Sequence, residues 1–255
     1  MATSVPQMSD PTLPPQPALS QLERVVDTFV APSKTFADIH RSAAWWMPFL
    51  IGCILSYGLM FGVQTKVGWP QVVENALRAT PKQAEKIEQS PPEQQQKIRG
   101  VMAMSYRIGF MAWPLLVLLF GAIVTGIFMM TVNFGLGGTG KFPQYFAVWF
   151  YAGLPLTVSC LLTIILLFAG GGGENFRLDN PIGTNPGFYF APGAIAPWMA
   201  ALLTSLDIFT IWTLALLSIG YSVVGKVSRS SAATVVFGWW GLWIVIKVVL
   251  AAFRS

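Results

Sequence analysis

Five long apolar runs, separated by polar stretches, are the main feature of the sequence. Each run is close to the roughly 20 residues that a helix needs to cross the hydrocarbon core of a bilayer, and none holds more than one charged side chain. The pattern therefore predicts an all-α membrane protein, a bundle of five transmembrane helices within residues 45–253. The predicted crossings are residues 45–63, 108–132, 145–169, 197–221 and 231–252.

The last two runs each contain one charge, Asp207 and Lys247. A single charge at the centre of a transmembrane helix costs about 2.5–3.5 kcal/mol on the insertion scale, so neither is expected to face lipid unpaired. The short turn near Gly225 places the two residues at levels that differ by roughly 6 Å. We therefore predict an intramembrane polar pair. In the alternative, Lys247 reaches the headgroups, and Asp207 is protonated or hydrogen-bonded to a Thr or Ser.

A pair of glycines, Gly58 and Gly62, lies near the end of the first run with the spacing that lets two helices approach closely. This spacing predicts a helix-packing face. A dimerisation face is the alternative, because the same spacing serves both.

The polar segments predict helices outside the membrane. Residues 1–19 are rich in proline and predict a disordered tail. Residues 20–44 predict two short amphipathic interfacial helices, the first opened by a capping box formed by Ser20 and Glu23. Residues 64–107 predict a polar helical loop whose last helix runs on through Tyr106 into the second crossing.

Composition and charge narrow the function classes. Charged residues make up 11% of the chain, against roughly one quarter in soluble domains, and the hydrophobic fraction is 54%. The net charge is +5, but the basic residues are spread between the runs and form no block that would bind nucleic acid. Cys53 and Cys160 both lie inside apolar runs, which gives no support to a disulfide or a metal site.

Motifs for catalysis are missing from the sequence. No H-E-x-x-H, C-x-x-C or G-x-S-x-G pattern occurs, and the single histidine, His40, lies outside the predicted crossings. The sequence therefore predicts no catalytic, cofactor-binding or metal-binding residue, and we expect a protein that is not an enzyme.

Three stretches in this order resemble the Yip1 family of integral membrane proteins, and more specifically its prokaryotic members. They are P-S-K-T-F-A-D-I (32–39), F-P-Q-Y-F-A-V-W-F-Y-A-G-L-P (142–155) and L-D-I-F-T-I-W-T-L-A-L-L-S-I-G (206–220). The resemblance implies a polytopic, non-enzymatic protein with a cytosolic N-terminus, here in the prokaryotic cytoplasmic membrane. Eukaryotic relatives associate with Rab-type GTPases, but the D-L-Y-G-P motif that they carry is absent here. GTPase binding is therefore not transferred to this chain.

Two functions from different classes follow. The first is a structural or interaction protein that organises the membrane, with membrane lipids, other membrane proteins or a second copy as partners. The second is a small transporter or channel that uses the intramembrane Asp207 and Lys247. A cavity that reaches Asp207 would favour the transporter, because buried charges in membranes often mark a solute path.

Overall fold

The computed structural model describes residues 18–170, 173 and 176–253. Within these residues the regular elements are all helical. They are α1 (Gln21–Val30), α2 (Pro32–Ile39), α3 (Trp46–Lys66), α4 (Trp69–Arg78), α5 (Pro81–Glu88), α6 (Pro92–Leu136), α7 (Phe142–Ala152), α8 (Leu154–Phe168), a 3₁₀ turn (Pro186–Tyr189), α9 (Pro197–Ser205), α10 (Ile208–Gly225) and α11 (Arg229–Ala252). Residues 1–17 of the predicted tail lie outside the described residues.

Five segments in the described residues are long and apolar enough to cross a membrane. They are α3, α6, the α7–α8 pair, α10 and α11. The predicted all-α membrane protein with five spanning helices is therefore confirmed.

The third and fourth crossings are each interrupted. The third runs through Phe142–Phe168 but breaks at Gly153, between α7 and α8. Pro155 lacks an amide hydrogen, so it cannot donate to the carbonyl four residues earlier, and the helix restarts with a tighter bond from the Leu156 amide to the Gly153 carbonyl (3.0 Å). The fourth crossing was predicted as one helix over 197–221, and this is wrong. The chain forms α9, turns at Leu206, and begins the spanning helix α10 only at Ile208.

The longest helix, α6, is 45 residues long, or roughly 68 Å. This is more than twice the roughly 30 Å of hydrocarbon in a bilayer. Its uncharged part, 108–132, fits the bilayer, so the N-terminal part extends beyond it. The prediction that the polar loop runs on into the second crossing is confirmed.

Two short helices, α4 and α5, pack against this extension. Val73 and Leu77 of α4 and Ile87 of α5 form a small buried cluster there. An ion pair between Arg99 and Glu74 joins α6 to α4. The Asn75 side-chain amide donates to the carbonyl of Phe176 (2.8 Å), which ties the loop over 176–196 to the same place. We call this side of the bundle the long-loop end.

The opposite side carries the short loops at 137–141 and 226–228, and we call it the hairpin end. The Thr139 amide donates to the Gly225 carbonyl (3.1 Å), so the two loops hold each other. Helices α7 and α10 approach very closely below them. A Cβ added to Gly220 of α10 would lie 2.3 Å from the side chain of Val148, so only glycine fits at this position.

This arrangement predicts that Ser90 and Ser228 lie on opposite sides of the membrane. Ser90 precedes α6 at the long-loop end, and Ser228 caps α11 at the hairpin end. In intact cells or sealed vesicles, single cysteines at these positions should be labelled by an impermeant reagent from opposite sides, with the native Cys53 and Cys160 replaced by Ala. Labelling of both from one side would contradict the topology.

Candidate functional site

Asp207 lies at the break between α9 and α10 and caps the spanning helix α10. One carboxylate oxygen accepts hydrogen bonds from the amides of Phe209 (2.9 Å) and Thr210 (3.1 Å). The first amides of a helix have no partner within the helix, and a carboxylate also interacts favourably with the positive end of the helix dipole. Asp207 therefore supplies what α10 needs in order to begin at this position.

The loop before α9 closes over this cap. The Thr184 hydroxyl donates to the second carboxylate oxygen of Asp207, and the Thr184 carbonyl accepts from the Ile208 amide (3.1 Å). Two buried amides, Asn180 and Asn185, hydrogen-bond to each other and hold the loop in shape. The Asp207 carboxylate thus accepts from three neutral donors.

Lys247 of α11 binds Ser205, not Asp207. Its ammonium donates to the Ser205 hydroxyl (2.8 Å) at the end of α9. In the described part of the chain no ion pair joins Lys247 to Asp207. The direct pair that we predicted is therefore not formed. The physical reason is the break at Leu206, which turns the carboxylate towards the amides of its own helix and leaves Ser205 beside Lys247.

Gly58 and Gly62 lie on α3 where it packs against α8. A Cβ at Gly58 would lie 3.4 Å from Ile164, and one at Gly62 would lie 3.2 Å from Leu167. The two glycines therefore serve a contact between helices of the same chain.

A cavity of about 360 Å³ lies between α3, α6, α7, α8 and α10. Its lining residue on α10 is Thr213, and neither Asp207 nor Lys247 lines it. The cavity and the two charged residues are therefore separate and do not form one site.

The N-terminal helices contain a buried ion pair that the sequence pattern did not reveal. Arg24 of α1 is 1% exposed, and its guanidinium donates to the Asp38 carboxylate (2.6 Å) and to the Ser42 carbonyl (2.8 Å). Arg41 contacts the other oxygen of Asp38. The charged face of α1 thus turns inward onto α2. The apolar side chains Leu22, Val26 and Val30 stay exposed.

The pair of helices α1 and α2 packs against the bundle itself. Phe36 and Ile39 are fully buried in the main core, and Phe29 makes an edge-to-face contact with Trp212 of α10 (5.5 Å). The Tyr151 hydroxyl donates to the Gln21 side chain (2.7 Å). Since Tyr151 lies roughly 14 Å along α7 from the hairpin end, α1 reaches well down the side of the bundle. We call α1 and α2 the N-terminal hairpin.

Polar contacts at the ends of this hairpin fix its position. The predicted capping box is confirmed, because the Ser20 amide donates to Glu23 (2.7 Å) and the Ser20 hydroxyl accepts from the Glu23 amide (3.2 Å). The bond from the Ser20 amide lowers the pKa of the Glu23 carboxyl. The ion pair with Asp27 raises the pKa of Lys34.

His40 at the end of α2 links three helices. One ring nitrogen lies 3.1 Å from the Val223 carbonyl, and the Gln144 amide donates to the other (3.2 Å). These contacts use both nitrogens of the ring, so His40 acts as a structural link between α2, α7 and α10.

A model of the Yip1 domain matches residues 26–253. The chain belongs to the Yip1 family. The match begins within α1 and runs past the end of α11, so the N-terminal hairpin is part of the Yip1 domain together with the spanning helices. The resemblance inferred from the sequence is confirmed. The chain has no significant match among curated proteins or solved structures.

The capping role of Asp207 in this Yip1 domain predicts a difference between two substitutions. Asn caps helices about as well as Asp, whereas Ala does not. Asp207→Ala should lower the free energy of unfolding in detergent micelles by about 1 kcal/mol, within a range of about 0.5–2 kcal/mol. Asp207→Asn should change it by a few tenths. Equal losses for the two variants would show that the charge matters and the cap does not.

The separate partners of Asp207 and Lys247 predict additivity. Because no direct bond joins them, Asp207→Asn and Lys247→Met should change the unfolding free energy independently. The double variant should equal the sum of the singles within about 0.5 kcal/mol. A coupling free energy clearly above that value would indicate that Asp207 and Lys247 interact directly.

The buried ion pair of the hairpin predicts a large effect at Arg24 and a small one at Arg41. Arg24→Met leaves Asp38 without its buried partner and should cost about 3 kcal/mol in unfolding free energy. Arg41 is 44% exposed, and Arg41→Met should cost less than about 1 kcal/mol. Chemical denaturation in micelles measures both, and similar costs for the two variants would contradict the buried pair.

Proposed function

We propose that this Yip1 protein is a non-enzymatic membrane protein that acts by lateral association with other membrane proteins or with a second copy of itself. The observation that carries the proposal is the use of the intramembrane charges. Asp207 caps α10 and Lys247 binds Ser205, so both side chains serve the fold. The presence of these two charges in the membrane is therefore accounted for without a solute or proton path.

The outer face of α11 supports lateral association. This spanning helix buries very little of its surface within the chain, and Leu242 and Trp243 are 49% and 58% exposed. Gly238 and Gly241 of the same helix have open space where a Cβ would be. Small residues let a second helix approach closely, and van der Waals contact at such positions is a main source of helix association in membranes.

The transporter that would use Asp207 and Lys247 has less support. A solute path built on these charges would need both of them to line a cavity between the spanning helices. The cavity between α3, α6, α7, α8 and α10 is lined by neither. The proposal includes membrane lipids as partners, because they surround the exposed apolar faces. It includes no nucleic acid.

We also propose that the N-terminus lies in the cytosol and that the protein resides in the prokaryotic cytoplasmic membrane. Support comes from the resemblance to prokaryotic Yip1 proteins.

Photocrosslinking in native membranes tests the proposed function. A photoreactive amino acid at Leu242 or Trp243 should give protein adducts, either a dimer of the chain or a larger heteromeric product. The matched control is Val236, which lies on the same helix and is fully buried, so it should give none. Adducts with lipid alone at both outer positions would contradict lateral association. Solute flux through proteoliposomes that is lost on Asp207→Asn would favour the transporter instead.

A further inference from the structure

The cavity between α3, α6, α7, α8 and α10 lies at the level of the bilayer and is elongated. Its lining positions on α3 run from Pro48 to Leu59, which is about 16 Å along the helix. A volume of about 360 Å³ over this length gives a mean cross-section of roughly 20 Å². This is about the cross-sectional area of one extended hydrocarbon chain.

The walls of the cavity are mainly apolar and aromatic. Aromatic rings come from α3, α6 and α7, including Phe49, Trp113 and Trp149. The polar lining atoms are few. The Thr157 hydroxyl and the Cys160 thiol already donate to carbonyls of neighbouring residues, at 2.7 and 3.6 Å. A volume of this size would hold about a dozen waters, each of which needs two to four polar partners. The lining offers too few partners, so an apolar occupant fits better than water.

The cavity opens towards lipid. Leu156 of α8 lines the cavity and is 47% exposed. Leu156 lies midway along the spanning segment Phe142–Phe168, so its exposed surface is reached from the hydrocarbon of the bilayer and not from water. A chain of a bilayer lipid can therefore enter from the side without crossing water.

From these observations we propose that the cavity binds one acyl chain of a bilayer phospholipid. The length, width, apolar lining and lateral opening match a single hydrocarbon chain that runs roughly parallel to the spanning helices. The site size is within the roughly 300–1,000 Å³ of ligand sites that bury most of their ligand. Occupation of this cavity does not depend on whether α11 has a protein partner.

The chain offers a variant that fills the cavity without breaking a hydrogen bond. The Thr213 hydroxyl is buried and has no hydrogen-bond partner among the described residues. Thr213→Leu therefore adds volume inside the cavity and removes an unpaired polar group. Ser56 of α3 is 7% exposed and also lines the cavity, so Ser56→Leu fills it from the opposite wall. Thr234→Leu is the matched control, because Thr234 is exposed on α11 outside the cavity.

Photolabelling by a phospholipid with a diazirine in the middle of one acyl chain tests the proposal. The full chain is reconstituted in phosphatidylcholine vesicles, irradiated and mapped by peptide mass spectrometry. The wild type should give adducts on cavity peptides around Trp113 and Cys160. Thr213→Leu combined with Ser56→Leu should reduce these adducts at least fivefold. Adducts on the outward residues Leu115 and Leu119 of α6 should stay unchanged, and Thr234→Leu should label like the wild type.

Two results would overturn the proposal. The first is cavity labelling that is the same in the filled and wild-type proteins. The second is cavity labelling by a diazirine fatty acid but not by the phospholipid, which would assign the site to a free acid. Native mass spectrometry gives a measurement on the wild type alone. After delipidation in mild detergent, a retained mass of one phospholipid is expected, and a bare protein mass would contradict the site.

Discussion

The bilayer core offers no hydrogen-bond partners, and this constraint decides how the chain is built. Each spanning helix must satisfy its own backbone, and the amides freed by a break in a helix need other partners, from a side chain or from the backbone. Asp207 is the most important case. The fourth apolar run breaks at Leu206, which leaves the first amides of α10 without partners, and the Asp207 carboxylate accepts from two of them. A charge that is costly in hydrocarbon is thereby used to begin a spanning helix.

The same constraint explains the partners of Lys247 and Arg24. Lys247 binds Ser205 at the end of α9, and Arg24 is buried only because Asp38 and the Ser42 carbonyl receive its guanidinium. Each charge thus contributes to the contact between two elements: α11 with α9, and α1 with α2. Both contacts serve the fold, in agreement with the proposed lateral association.

The parts of the fold that could be predicted from the sequence are the spanning helices, because a helix in the bilayer must be long and apolar. Apolar length gave the five spans, and the uncharged stretch 108–132 joined to a polar helix gave the long α6. The break before Asp207 was missed, because apolar residues on both sides give no change in hydropathy. An Asp immediately before a helical apolar run is a capping signal, and it was the one available clue. The burial of Arg24 was missed because its partner Asp38 lies on a different helix, and hydrophobic periodicity does not report such pairs.

Hydrogen exchange at the start of α10 tests the central claim that Asp207 holds the fold as a cap. In micelles, the amides of Phe209 and Thr210 should exchange slowly in the wild type and in Lys247→Met. In Asp207→Ala they should exchange at least tenfold faster, while amides in the middle of α10 keep their rates. Unchanged protection of Phe209 and Thr210 in Asp207→Ala would contradict the account.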